Sequence, residues 1–167
     1  MLIRDATEAD LPAILAIYND VIRTTTAVYT EEPLTLEDRR TWFRGRVASG
    51  YPVLVATEEA SPETVIALAS FGDFRAWPDG YRHTVEHSVH VAAPSRGQGI
   101  GTALVTALLP RAAVLGKHMM IGAIDAGNEG SIRMHERLGF VRAGTLREVG
   151  TKFGRWLDVV FMQRALP

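Results

Sequence analysis

Residues 92–102 read Ala92-Ala93-Pro94-Ser95-Arg96-Gly97-Gln98-Gly99-Ile100-Gly101-Thr102. An apolar run precedes this segment, and a helix-forming run follows it. Glycines let the backbone approach an anion closely and direct several N–H groups at it. The N-terminus of the following helix adds unpaired amides and a partial positive charge. The segment is therefore predicted to bind a phosphate or pyrophosphate between a strand and a helix.

Two common phosphate-binding motifs do not match this loop. The dinucleotide fingerprint requires G-x-G-x-x-G/A, but Gly97 and Gly99 are followed by Thr102 at the third position. The Gly-Lys-Ser/Thr of a P-loop is absent. The alternative is a tight glycine-rich turn without a ligand. Three alternating glycines beside an arginine favour the phosphate-binding interpretation.

Hydrophobic spacing outward from the loop predicts one α/β domain over residues 1–167, in the order β-α-α-β-β-β-α-β-α-β-β. The predicted strands cover residues 2–4, 53–57, 65–71, 84–91 and 119–124, with two more after residue 139. Helices are expected to begin near Thr7, Thr35, Gly99 and Asn128. Within them, Trp42, Phe43 and Val47 are expected to face inward and Pro110 to kink the third helix.

The composition narrows the class of protein. The chain is 47% hydrophobic and 22% charged, as in an ordinary globular domain, and its net charge is -1. A nucleic-acid partner is therefore not expected. The absence of cysteine excludes disulfides, thiolate metal sites and a cysteine nucleophile. No signal peptide or membrane-spanning run is recognisable, so a cytoplasmic protein without a membrane partner is expected.

Two segments carry a resemblance to a known family. Residues 96–101 resemble the Arg/Gln-x-x-Gly-x-Gly/Ala signature of the GNAT acetyltransferase superfamily. Residues 128–140 resemble its Asn-x-x-(Ala/Ser)-x-x-x-(Tyr/His)-Glu-x-Leu-Gly-Phe segment. His135 stands where the superfamily often has tyrosine, a feature shared with the phosphinothricin and methionine sulfoximine acetyltransferase branch. Segments 18–20, 50–55, 84–89 and 150–158 resemble the same branch, so the likeness covers nearly the whole chain.

The resemblance implies a fold and a co-substrate. The expected fold is a mixed sheet of about seven strands, splayed between the fourth and fifth, with about four flanking helices. Acetyl-CoA is the expected co-substrate, without a metal, and a homodimer is the expected assembly. The residues that the resemblance assigns to acetyl-CoA are Val89, His90, Val91, Arg96, Gly97, Gln98, Gly99, Ile100, Gly101, Thr102, Asn128 and Ser131.

The implied reaction is N-acetylation of a small, amino-acid-like substrate. An α-amino group must lose a proton before it attacks a thioester, and in an unperturbed peptide its pKa is about 7.7–8.0. Glu86 matches the glutamate assigned as general base in the branch, although position alone would favour a surface glutamate. His135 is the candidate acid for the departing thiolate, and the Val89 amide a candidate oxyanion donor. No nucleophile-plus-base pair is apparent, so direct attack is the simpler mechanism.

Substrate contacts are expected from one loop and one strand. Arg75 could bind a carboxylate or phosphinate through two hydrogen bonds, and Trp77 could cover the side chain of the substrate. The expected substrate residues are Arg75, Ala76, Trp77, Glu86, His87 and Ser88, with Tyr29 and Lys152 as weaker candidates. Phosphinothricin, methionine sulfoximine, methionine sulfone and a native metabolite all remain open.

Three other interpretations compete. His83, His87 and His90 suggest a metal site, but a strand would place His90 on the opposite face, without further ligands. A protein N-terminus or a polyamine could replace the amino acid as acceptor. A non-catalytic acyl-CoA-binding sensor would keep the glycine loop and Asn128 but would not need Glu86 or His135.

Overall fold

The computed structural model describes all residues, Met1–Pro167, and contains a single seven-stranded sheet in the order β1-β2-β3-β4-β5-β7-β6. The strands are β1 (Leu2–Asp5), β2 (Val53–Thr57), β3 (Val65–Asp73), β4 (Thr84–Val91), β5 (Met119–Asp125), β6 (Val141–Lys152) and β7 (Arg155–Ala165). The helices are α1 (Leu11–Thr24), α2 (Leu36–Ala48), α3 (Ile100–Val114) and α4 (Glu129–Arg137). This architecture confirms the predicted mixed sheet with four flanking helices.

The sheet is split between its two parallel strands. β3 and β4 pair along their whole length, from Ala67↔Val91 to Asp73↔Val85. β4 and β5 pair only over three residues and end at Glu86↔Ile121. Beyond that pair the two strands separate, as the resemblance implied. The opening begins at Glu86 and widens towards the C-terminal end of β4.

The pairing of β4 with β3 determines which backbone groups of β4 face the opening. The Ala92 N–H donates to the Ile66 carbonyl, and the Thr84 carbonyl accepts from the Phe74 N–H, so even-numbered residues direct their backbone groups towards β3. Backbone direction alternates along a strand. The N–H and C=O groups of Val89 and Val91 therefore point into the opening.

Each face of the sheet carries one apolar layer. On one face, Leu11 and Ile14 of α1 pack with Val55 and Leu68. On the other face, α3 and α4 pack against a larger core. This core includes Leu104, Leu108, Phe71, Val85, Met120 and Ile132. Alternation along β4 then assigns Glu86, Ser88 and His90 to the α1–α2 face and His87 to the α3–α4 face.

One local expectation, that Val47 faces inward, was wrong. Val47 is 58% exposed, because the inward stripe of α2 runs through Arg39, Phe43 and Arg46, and Val47 lies beyond it near the helix end. The predicted helix start at Thr7 is confirmed: Thr7 forms a capping box with Asp10, and this short 3-10 turn leads directly into α1 at Leu11. α3 continues through Pro110 to Val114. None of the helices is both long enough and apolar enough to cross a bilayer.

Candidate active site

A cleft of about 790 Å³ occupies the opening between β4 and β5. Its walls come from the outer half of β4, the glycine loop, the end of α1, and the segment from the end of β5 into α4. The predicted acetyl-CoA residues that line it are Val89, His90, Val91, Arg96, Gly97, Gly99, Ile100, Gly101, Thr102, Asn128 and Ser131. Gln98 does not line it and instead directs its amide at the Pro94 carbonyl, 3.4 Å away.

The glycine loop adopts a shape that presents backbone amides to the cleft. Gly97 and Gly99 have φ values of 78° and 80°, which favour glycine over any other residue. Gly99 caps α3, and its carbonyl accepts the first intrahelical bond, from the Ala103 N–H at 3.0 Å. The amides of Ile100, Gly101 and Thr102 therefore have no partner within the helix. Together they present free N–H groups of the kind that bind an anion at a helix N-terminus.

Two side chains shape the rim of this loop. The Arg96 Nε donates to the Val91 carbonyl at 3.0 Å and leaves the guanidinium partly exposed at the cleft. Across the opening, Asn128 caps α4 by accepting from the Ser131 N–H at 3.1 Å. The cleft is therefore bordered by the N-termini of α3 and α4, and both carry partial positive charge.

Glu86 lies at the closed end of the opening, in the last residue pair of β4 and β5. Its side chain is half-buried, and it is not among the residues that line the large cleft. Burial raises the pKa of its carboxyl, and the positive charge of Arg46 partly offsets this rise. A carboxylate with a raised pKa is a stronger base for an ammonium group.

His135 does not reach the cleft surface. It is 2% exposed, and its ring stacks on His87 with 5.0 Å between ring centroids. Its Nδ1 lies 2.7 Å from the Ser131 carbonyl oxygen, and its Nε2 lies 3.1 Å from the Nε2 of His87. Burial lowers the pKa of both imidazoles, that of His87 to about 3. Both ring nitrogens of His135 are thus engaged within the protein.

The loop expected to bind substrate lies open. Trp77 is 84% exposed, and Arg75 and Ala76 are also exposed. The Arg75 guanidinium lies 5.7 Å from the Phe74 ring centroid and 5.5 Å from that of Tyr81. Of the expected strand residues, Ser88 is exposed and His87 is buried on the opposite face from Glu86. The structure does not bring Arg75 or Trp77 into the cleft.

Tyr29 and Lys152 hold the loop between α1 and α2. The Tyr29 hydroxyl bonds Asp125 at 3.0 Å and the Asp158 carbonyl at 2.9 Å. Lys152 is 1% exposed, and its ammonium donates to the Val28 carbonyl at 2.7 Å. Neither residue lines the large cleft.

The sequence analysis missed several cleft residues. Asp125 ends β5 and accepts from the Thr26 hydroxyl at 2.5 Å, which fixes the end of α1 against the cleft. An aspartate at the C-terminal end of a strand was the available signal. The other unpredicted lining residues include Thr25, Ala27, Met134, Arg137, Phe153 and Arg155.

The three histidines proposed as metal ligands lie apart. The His83 Nδ1 contacts the Gly116 carbonyl at 3.0 Å, His87 meets His135, and His90 packs edge-on against Tyr18. The structure brings no three histidine, aspartate or glutamate side chains together in a way that could hold a metal ion.

Comparison with known proteins agrees with this geometry. Residues 1–141 match the family of the Acetyltransferase (GNAT) domain. The chain belongs to this family, and it is an N-acetyltransferase.

Three relatives refine the assignment. The L-methionine sulfoximine/L-methionine sulfone acetyltransferase of Pseudomonas paraeruginosa is 52% identical, over 96% of this chain and 92% of its own. The phosphinothricin acetyltransferase of Sinorhizobium meliloti, solved in complex with acetyl-CoA, has a TM-score of 0.94 and 38% identity, over 99% of this chain and 88% of its own. The ribosomal-protein-alanine N-acetyltransferase of Brucella melitensis has a TM-score of 0.95 and 49% identity, over 99% of this chain and 100% of its own. The predicted branch is confirmed.

Proposed function

We propose that this enzyme transfers the acetyl group of acetyl-CoA to the α-amino group of a small amino-acid-like substrate, such as L-methionine sulfoximine, L-methionine sulfone or phosphinothricin. The observation that carries the proposal is the opening of the sheet at Glu86. It places a half-buried carboxylate beside a free strand edge that leads to a phosphate-binding loop. The named activities of the relatives supply the substrate class.

Acetyl-CoA would bind along the cleft. Its pyrophosphate would lie on the amides of residues 100–102, with Arg96 beside it. Its pantetheine arm would pair with the N–H and C=O of Val89 and the N–H of Val91, since these groups lack a neighbouring strand and only the Val91 carbonyl is taken, by Arg96. The thioester would then lie near the closed end of the opening, next to Glu86.

The chemistry requires one base and one oxyanion donor. Glu86 takes a proton from the substrate ammonium, directly or through a water molecule. The neutral amine attacks the thioester carbonyl, and the Val89 N–H stabilises the oxyanion of the tetrahedral intermediate. Its collapse breaks the C–S bond, the nitrogen loses its second proton, and a proton reaches the departing thiolate through water, so that the products are the N-acetyl amide and the CoA thiol. We assign no proton transfer to His135, because both of its ring nitrogens are engaged.

The test is thiol release from acetyl-CoA with a panel of acceptors. The panel contains methionine sulfone, methionine sulfoximine, phosphinothricin, ordinary amino acids, a polyamine and alanine-initiated peptides. Saturable release with the methionine analogues or phosphinothricin supports the proposal. Release with peptides alone would favour the second candidate, protein N-terminal acetylation, which the Brucella melitensis relative suggests. CoA binding without release would indicate a sensor.

We also propose that the enzyme is a homodimer, formed through its C-terminal strands. β6 is the edge strand of the sheet, and Val141, Leu146 and Val149 on it are exposed. Trp156, at the start of β7, is 68% exposed. Clusters of exposed large apolar side chains on an unpaired edge favour association with a second copy. A cytoplasmic location stays a prediction.

A further inference from the structure

The guanidinium of Arg46 lies where a side chain of residue 72 would be. A Cβ atom built on Gly72 would overlap the Arg46 guanidinium. Gly72 is the direct cross-strand partner of Glu86 in the β3–β4 ladder. Residues paired in this way place their side chains on the same face of the sheet, about 4.5–5.5 Å apart. Arg46 and Glu86 are therefore neighbours on the α1–α2 face.

The Arg46 guanidinium forms no hydrogen bond and no ion pair within the protein, and it lies 5.9 Å from the Trp42 ring centroid. Its side chain donates none of the protein's hydrogen bonds, and its Nε is buried without one. Arg40 and Arg44 on the same helix form ion pairs with Glu37 and Glu8, but Arg46 forms none.

Asp73, the residue after Gly72, is a charged neighbour of Arg46 but already has partners of its own. Asp73 accepts from the Tyr51 hydroxyl and lies 3.6 Å from the Lys117 ammonium. Burial lowers the pKa of Arg46, which means that its surroundings do not solvate the positive charge fully. A half-buried cation without hydrogen bonds is costly unless a ligand satisfies it.

We infer that Arg46 and Glu86 together bind the two charges of an α-amino acid. Arg46 binds the α-carboxylate, and Glu86 receives the α-ammonium group that it later deprotonates. In an α-amino acid both charged groups are attached to one carbon. A cation and a carboxylate that are neighbours on one face, without an ion pair between them, are complementary to that arrangement. This inference rests on the proposed function.

The contact with the α-carboxylate is thereby reassigned from Arg75 to Arg46. Arg75 was the candidate for the carboxylate, but it lies on the exposed loop against Phe74 and Tyr81. Arg46 instead extends from α2 into the space over Gly72, which has no side chain to fill it. A free α-carboxylate thus becomes the feature that the enzyme selects. Polyamines lack this group, and peptides carry an amide in its place.

The test compares L-methionine sulfone with its α-amide, which keeps the amine and the side chain but lacks the carboxylate. We expect Arg46→Gln to lower kcat/KM for the acid by about 10- to 100-fold, mainly through KM, because a hydrogen-bonded charge pair is lost. The kcat/KM for the α-amide should change by less than about threefold, because this acceptor has no carboxylate for Arg46 to bind. Arg44→Gln, at an exposed site on the same helix, is the matched control and should change neither acceptor.

A second variant moves the guanidinium without removing any charge. Gly72→Ala places a Cβ in the space that the Arg46 guanidinium occupies. It should therefore also reduce the ratio of kcat/KM for the acid to kcat/KM for the amide. Circular dichroism and the melting temperature show whether each variant is folded. Equal loss of acid and amide in Arg46→Gln, or loss of the ratio in Arg75→Gln alone, would overturn the inference and leave the proposed function standing.

Calorimetry distinguishes a failure of the proposed function from a failure of the inference about Arg46. If the wild-type enzyme turns over no acceptor, the proposed function fails. L-Methionine sulfone is then titrated into CoA-saturated wild type and Arg46→Gln. Weaker binding in the variant supports the role of Arg46, and equal or absent binding overturns it.

Discussion

The Nε2 atoms of His87 and His135 lie 3.1 Å apart in the layer between the sheet and α4. A carbonyl oxygen can only accept, so the Nδ1 of His135 carries the hydrogen that it donates to Ser131. The Nε2 of His135 is then the acceptor, and the Nε2 of His87 is the donor. The remaining nitrogen, Nδ1 of His87, is buried without a partner. The pair is held in the neutral state.

This neutral pair predicts that stability falls at mildly acidic pH. Burial lowers the pKa of His87 to about 3 and of His90 to about 4, and it also lowers that of His135. The unfolded chain takes up these protons below about pH 6.5, whereas the folded chain does not until much lower pH. The free energy of unfolding should therefore decrease as the pH falls from 6.5, by about 2 kcal/mol at pH 5 for His87 alone.

Urea unfolding between pH 7.5 and pH 5 measures this slope. His87→Gln removes one buried imidazole and should flatten it, whatever its effect on stability at pH 7.5. A variant with the wild-type slope would contradict the assignment.

Gly122 predicts a packing limit beside the same pair. A Cβ at this position would lie 3.2 Å from the His87 Nε2 and 3.3 Å from the His135 Nε2, tighter than ordinary contacts. We expect Gly122→Ala to lower the free energy of unfolding by about 1–3 kcal/mol, because both rings must shift. Gly144→Ala, a strand glycine on β6 with open space around it, is the control. Equal stability of the two variants would argue against tight packing at the pair.

Glu86 predicts a loss of rate without a loss of co-substrate binding. Glu86→Gln should reduce kcat by about 10²- to 10⁴-fold, the range for a lost general base, and leave the Kd for CoA unchanged. Steady-state kinetics and calorimetry measure the two quantities. Turnover at the wild-type rate would exclude Glu86 as the base.

Arg46 predicts a shift in the pH–rate profile. Its positive charge favours the ionised form of Glu86, so its removal raises the pKa of that carboxyl. The acidic limb of kcat/KM should therefore move to higher pH in Arg46→Gln, measured with the α-amide as acceptor. The amine of the acceptor ionises identically in both experiments, so the difference reports the enzyme. A shift to lower pH would contradict this sign.

Alanine substitutions at two glycines, Gly99 and Gly116, can distinguish the effect of backbone strain from an effect on ligand binding. Gly99 and Gly116 flank α3, have φ values of 80° and 69°, and have open space around them. Alanine at either position should cost about 1–2 kcal/mol of stability through left-handed strain. Only Gly99→Ala should also weaken CoA binding, since only Gly99 lines the cleft. Equal CoA affinity in both variants would argue against an anion site at this helix N-terminus.

The proposed dimer predicts a surface variant that dissociates. Leu146→Lys adds a charge to the exposed edge strand and should give a monomer by sedimentation velocity. Val47→Lys, at an exposed site on α2, is the matched control and should leave the mass unchanged. A wild-type protein that is monomeric at all concentrations would refute the dimer.

The sequence predicted those parts of the fold and of the candidate site that depend on neighbouring residues. The helix start at Thr35 and the glycine loop after β4 are local features, because their hydrogen bonds and φ values involve at most a few residues. The strand-to-helix position of the glycine loop and the split between β4 and β5 were predicted from such segments and from their resemblance to the family, whereas phosphate binding by the loop stays a prediction.

Long-range contacts account for what was missed. Tyr29 was expected at the substrate, but it bonds Asp125, 96 positions along the chain. Lys152 was expected there too, but it bonds a carbonyl 124 positions away. His135 lies in a correctly identified segment, yet the direction of its ring is fixed by His87 on a distant strand. No periodicity or spacing encodes such pairings.

The contacts of Tyr29 and Lys152 at the loop between α1 and α2 also have a consequence for the order of folding. The Tyr29 hydroxyl donates to the Asp158 carbonyl, 129 positions away, and the Val28 carbonyl accepts from the Lys152 ammonium, 124 positions away. Contacts of such sequence separation form late, because a long stretch of chain must close first. The loop beside the cleft is therefore expected to become anchored late in refolding, after β6 and β7 have joined the sheet.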